Sequence, residues 1–348
     1  MTDRGPLQPD DEAPTGPVSG ELPMGPASGP PGSGIFSLEA RRAPGLYLVS
    51  WVLSVGGLLL VLLVGPMASS EAARLLLVGL GAIVLTVGLA SACGYQVVQR
   101  RDRPPERYRG PAPLLVFATY FFALALVGLV VVLSGVVDPA EPLGFLVIGS
   151  LQALGYAVIV WLFVVRTDAL SWRRMGWPTW RGAHLREVLG GIGTAVAVML
   201  PTTFVMLILG GILGFLLGVE APDVLPTPGD SLEALAIATA AAVIIPTGEE
   251  LFFRGFALTA WLHDLGPRSA LIRSSVFFAL IHIANITTDS FAQGAAQALL
   301  QSAVILPVGS VLGWLFLRRG MSGAIAGHVT YNSTLLFLSL LVAALPAT

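Results

Sequence analysis

Long apolar runs, broken by short polar or arginine-bearing stretches, set the pattern of this chain. A helix needs about 20 apolar residues to cross the hydrocarbon core of a bilayer. By that measure the pattern predicts nine helical spans, over roughly 45–65, 75–98, 112–134, 143–165, 188–218, 232–262, 270–288, 294–317 and 321–345. The fifth and sixth are long enough to tilt or break, with Pro201 and Pro246 as break points. The seventh is the shortest. The expected fold class is all-α, a polytopic membrane helix bundle of about 8–9 transmembrane helices.

Composition agrees with that pattern. Of 348 residues, 55% are hydrophobic and only 11% charged, against about 25% charged in ordinary soluble domains. Such a chain needs lipid as part of its solvent. The lone cysteine, Cys93, excludes a disulfide framework and any cysteine-cluster metal site. Residues 1–36 are rich in Pro, Gly, Ser and acidic residues and cannot bury enough surface to fold. They are expected to form a disordered cytoplasmic tail.

The arginines fall on alternate sides of the spans. Arg41 and Arg42 precede the first; Arg100, Arg101, Arg103, Arg107 and Arg109 follow the second; Arg166, Arg173, Arg174, Arg181 and Arg186 follow the fourth. Arg268 and Arg273 follow the sixth, and Arg318 and Arg319 the eighth, whereas the intervening loops hold only Arg74 among several carboxylates. Short cytoplasmic loops are the basic ones. The expected orientation is N-terminus in and C-terminus out, in the plasma membrane, with the lipid bilayer as partner and no nucleic acid. The segment 168–187, with Trp172, Trp177 and Trp180, reads equally as an interfacial helix or as a loop anchored by its indoles.

Ionisable side chains inside a span are costly and therefore functional hypotheses. They cluster in three spans: Glu249, Glu250 and Arg254 in the sixth, His282 in the seventh, and His328 with Asn332 in the ninth. At about 1.5 Å per residue from the cytoplasmic ends, Glu249 lies at about 20 Å, His282 at about 18 Å, His328 at about 10 Å and Asn332 at about 16 Å. Three helices thus bring polar groups to the middle and inner part of the bilayer. Glu250 and Arg254 stand in the i, i+4 order that favours an ion pair, while Glu249, rotated by about 100°, points elsewhere. A buried carboxylate beside an imidazole can activate water as a general base, and a second His with an Asn can donate to an oxyanion. Alternatively, Glu249, His282 and His328 could hold a zinc ion. His184 and His263 sit in loops and are expected to be bystanders.

The strings Glu249-Glu250-x-x-x-Arg254, Phe278-x-x-x-His282 and His328-x-x-x-Asn332, in that order, resemble the CPBP family of intramembrane proteases, also called the Abi family, which comprises CAAX prenyl endopeptidases and bacteriocin-processing relatives. The resemblance covers roughly residues 230–345. It implies a catalytic core at 230–348 behind N-terminal transmembrane helices at 37–229. It further implies water activation by Glu249 and His282, an oxyanion site at His328 and Asn332, and support from Glu250, Arg254 and Phe278. Members are called metalloproteases, yet a metal-free glutamate mechanism is also proposed for them, so the cofactor is either none or a divalent metal. The absence of a His-Glu-x-x-His string separates the chain from ordinary zincins.

The function expected on these grounds is that of an intramembrane endopeptidase acting on a peptide or membrane-protein substrate near the cytoplasmic face. A non-catalytic membrane scaffold or bacteriocin-immunity factor is the alternative. A proton-coupled transporter, the third reading, predicts internal repeats that neither the hydropathy nor the motifs contain.

Overall fold

A computed structural model describes residues 37–38, 41–177, 184–218, 225–286 and 290–343. The chain divides into Met1–Arg41 and Arg42–Thr348. The expected tail, 1–36, lies outside the described residues, as do Trp180 and Arg181. Every regular element among the described residues is helical. They are α1 Pro44–Val64, α2 Glu71–Gln99, α3 Pro113–Leu133, α4 Pro142–Val165, α5 His184–Leu216 and α6 Ser231–Asp264, then α7 Pro267–Ile281, α8 at 291–319 and α9 at 321–343.

Local chemistry sets where these helices begin. Pro44, Pro113, Pro142 and Pro267 occupy first-turn positions, where the missing N–H is no loss. Ser70 caps α2 by accepting the Ala73 N–H at 3.2 Å. Asp230 caps α6 through the Glu233 N–H at 2.9 Å, and the Glu233 carboxylate reaches back to the Gly229 N–H at 2.6 Å. This reciprocal arrangement satisfies donors that a helix start leaves orphaned.

Among the described residues, seven continuous helices are long and apolar enough to cross a membrane, and the last of them, Phe291–Leu341, contains two segments. Gly320 adopts φ 69°, the left-handed region open to glycine. Beyond it the chain turns back: Leu312 packs in one cluster with Tyr331, and Phe316 in another with Ala324. The eighth and ninth spans expected from the pattern are therefore an antiparallel hairpin.

The seventh span departs from expectation. It was expected over 270–288, but α7 has 15 helical residues and tightens into a 3-10 turn at His282–Asn285. The cause is local. The His282 N–H turns to Ala279 O, and the His282 side chain instead takes the freed Phe278 carbonyl, Nδ1 to O 2.7 Å.

Helix α6 runs through the centre and changes pitch repeatedly, with π-helical turns at Thr239–Ile244 and Leu251–Leu258. Its second π turn is wholly buried. Phe252, Phe253 and Phe256 pack there in one core with Tyr120 and Tyr156, from α3 and α4. On the other side, α5 meets α9 closely enough that a Cβ on Gly191 would fall 2.2 Å from Gly323 O.

Two arginine-bearing loops, expected to be cytoplasmic, turn inward. Arg100, Arg103, Arg107 and Arg109 donate to the carbonyls of Gly110, Tyr108, Asp264 and Arg103 respectively. The loop after α2 is thereby tied to the α6–α7 turn. Tyr108 is buried within it, and burial pushes its phenol well above the ordinary value. Between α4 and residue 177 the chain makes turns rather than an interfacial helix, and Leu170 and Met175 are buried in the bundle.

Candidate active site

Four helices converge on the acidic pair of α6. Glu249 is 7% exposed and Glu250 and Arg254 are fully buried. Glu250 Oε1 lies 3.0 Å from Arg254 Nη1, the i, i+4 ion pair the spacing predicts. Charges are rarely buried without such compensation. Arg254 also donates Nη2 to Gly309 O of α8 at 3.2 Å, and its Cζ sits 4.1 Å from the centre of the Phe278 ring. Phe278 meets His282 and His328 edge-on, with centroids 4.8 and 6.0 Å apart. One ring from α7 thus packs against the guanidinium and both imidazoles.

Glu249 faces away from Arg254, as its rotation along α6 requires. Its Oε1 is 4.0 Å from His282 Nε2, and its Oε2 is 3.8 Å from His328 Nε2. These gaps are too long for direct hydrogen bonds and of the width that a single water molecule bridges.

The tautomers follow from the other ring nitrogens. His282 donates Nδ1–H to Phe278 O. A neutral His282 therefore presents a bare Nε2 toward Glu249. His328 Nδ1 lies 2.8 Å from Glu250 Oε1. A carboxylate only accepts, so this nitrogen carries hydrogen and Nε2 is turned to Glu249.

The donor set does not form a zinc site as it stands. Tetrahedral ligands at about 2.0–2.1 Å from zinc lie about 3.4 Å apart, closer than either gap around Glu249. Among the described residues, no group of three His, Cys, Asp or Glu is placed to hold a metal ion.

Asn332, the fourth expected site residue, projects one helical turn beyond His328. Its Nδ2 donates to Ala241 O in the first π turn of α6, at 3.0 Å. Sequence reasoning did not find this contact, nor the Glu250–His328 hydrogen bond or the Gly309 carbonyl beneath Arg254. His184 pairs with Glu187 within its own helix, and His263 bonds to Glu106 O. Neither joins the cluster.

An apolar groove of about 690 Å³ runs beside the site between α4 and α6, lined by Ala153, Ala157, Trp172, Trp177, Thr247 and Leu251.

The fold and the cluster define a polytopic helical protein whose titratable groups are gathered among helices apolar enough to span a bilayer. Residues 231–334 match the family model described as Rce1-like, type II CAAX prenyl endopeptidase. This part of the chain is similar to Rce1-like domains, consistent with the CPBP family. No curated protein and no solved structure matches the chain.

Proposed function

We propose that the chain hydrolyses a peptide bond of a peptide or membrane-protein substrate at the Glu249–His282–His328 cluster, using water activated by Glu249 and His282. The carrying observation is the Glu249 carboxylate, nearly enclosed and 4.0 and 3.8 Å from two imidazole Nε2 atoms whose Nδ1 partners orient them. Anionic Glu249 and neutral His282 are both acceptors. A water between them donates one hydrogen to each and keeps its lone pairs for the substrate carbonyl.

As the water oxygen bonds to the carbonyl carbon, its proton passes to Glu249. The carbonyl π electrons move to oxygen, giving a tetrahedral oxyanion. Glu249 then returns the proton to the departing amine nitrogen as the C–N bond breaks. His328 can donate Nε2–H to the oxyanion only when both its nitrogens carry hydrogen, with Nδ1–H kept on Glu250. Such preorganised donors are worth most in a site closed to water. The alternating arginine loops support a site reached from the cytoplasmic face of the plasma membrane, with the N-terminus inside.

Purified protein should cleave members of a quenched fluorescent peptide library, and Glu249→Ala should abolish that cleavage. A Glu249→Ala variant as active as wild type would overturn the mechanism. A wild type that cleaves nothing in a library of prenylated and unmodified peptides would favour a binding role for the same cluster.

A further inference from the structure

The structure assigns Asn332 a positioning role: its amide replaces the backbone hydrogen bond that Pro246 removes, and so holds the π turn leading into Glu249. In the first π turn the Ile245 N–H bonds to Ala240 O, five residues back. Continued by one residue, that ladder would send the amide of position 246 to Ala241 O. Pro246 has no N–H to send.

The Ala241 carbonyl is thus left over in a membrane-embedded helix, where an unsatisfied backbone group is costly. Asn332 Nδ2 stands 3.0 Å from that oxygen. Nδ2 carries a second hydrogen, so this bond fixes the orientation of the amide without using up its donor capacity. Glu249 follows Pro246 by three residues, and His328 precedes Asn332 by one helical turn, so the bond fixes the two helices that carry the reacting groups. His328 adds a second tie between the same helices through Glu250.

Helix α5 has the same local design, a π turn at Ala195–Met199 with the Leu200 N–H bonded to Ala195 O, followed by Pro201. There the turn serves packing. At Pro246 it stands next to the acidic pair.

A double-mutant cycle tests the assignment, and its kinetic half rests on the proteolytic reading while its unfolding half does not. Asn332→Ala should lower kcat about tenfold or more, the worth of a buried hydrogen bond, with KM little changed. Pro246→Ala supplies the missing N–H. In that background Asn332→Ala should cost much less in kcat, and the thermal-unfolding loss should shrink in parallel. An oxyanion donor could not be rescued this way, because a backbone N–H at position 246 adds nothing at the substrate. Equal losses in both backgrounds, in kcat and in unfolding temperature, would overturn the assignment. If the wild type shows no cleavage, the proteolytic reading fails on its own, and coupling in unfolding still decides the role of the hydrogen bond.

Discussion

His328 Nδ1 lies 2.8 Å from Glu250 Oε1, and this one contact decides which nitrogen of the imidazole meets the Glu249 carboxylate. Adjacent carboxylates on one helix point about 100° apart, so a single imidazole reaches both only by standing between them. Glu250 takes Nδ1 and Arg254; Glu249 is left facing Nε2 and His282. Under the proposed mechanism the two acidic residues therefore divide the work, Glu250 orienting and Glu249 reacting.

Replacement of the reacting groups should separate chemistry from folding. Glu249→Gln and His282→Ala should each lower kcat about 10²-fold or more, the scale of general-base catalysis. The unfolding temperature of Glu249→Gln should change little, because Glu249 is held across gaps rather than by a direct ion pair, whereas His282→Ala also loses the Nδ1–H bond to Phe278 O and should melt somewhat lower. Cleavage rates set against melting curves in detergent check this, and retained activity in either variant contradicts it.

Removal of the orienting carboxylate should hurt in a different way. Glu250→Gln leaves Arg254 buried without its counter-charge, at a cost of about 3–5 kcal/mol. The pair Glu250→Leu with Arg254→Met should recover most of that stability but not the activity, since His328 still lacks its Nδ1 partner. Parallel unfolding and cleavage assays distinguish the two effects. Restored activity in the double variant would remove Glu250 from any orienting role.

The ring of Phe278 is predicted to matter beyond its bulk. Phe278→Leu keeps an apolar side chain yet loses the aromatic face under Arg254, worth about 0.5–2 kcal/mol, and the edge contacts to both imidazoles. Phe278→Ala should cost about 3–5 kcal/mol. Activity of the Leu variant should fall further than its stability. Equal proportional losses would make the ring a simple filler.

Tyr108 gives a pH test outside the membrane-spanning segments. Its hydroxyl is buried without a hydrogen-bond partner, and burial raises its pKa well above the ordinary 10.0. A phenol whose folded pKa is raised contributes stability fully below its unfolded pKa, and that contribution is lost as pH climbs past about 10. Tyr108→Phe should therefore match or exceed wild-type stability at neutral pH and resist alkaline unfolding better. Melting curves between pH 7 and about 11 check the difference, and an earlier alkaline transition in the Phe variant would contradict it.

Much of this was legible before any fold was known. The span boundaries rest on apolar runs, and eight of the nine hold to within a few residues because lipid tolerates no other way of satisfying the backbone. The end of the seventh was not legible because it depends on a side chain, His282, competing for a carbonyl of its own helix. The arginine loops were read by sign and position alone, which could not reveal that four of their guanidinium groups turn to backbone carbonyls. Residue type alone does not choose between a zinc site and a metal-free one, because it does not carry distance.

The sequence by itself determined a helical membrane bundle, the i, i+4 pairing of Glu250 with Arg254, and the small set of polar residues that spans cannot carry without a purpose. Those follow from periodicity and from the cost of charge in lipid, both properties of the chain read locally. Only the tertiary structure decided that His328 bridges both acidic residues, that Asn332 serves the carbonyl Pro246 leaves over, and that Glu249 keeps water-wide gaps to two imidazoles. Each of these joins residues from different helices, and their relations were set by crossing angles, π turns and close glycine contacts that no local pattern encodes.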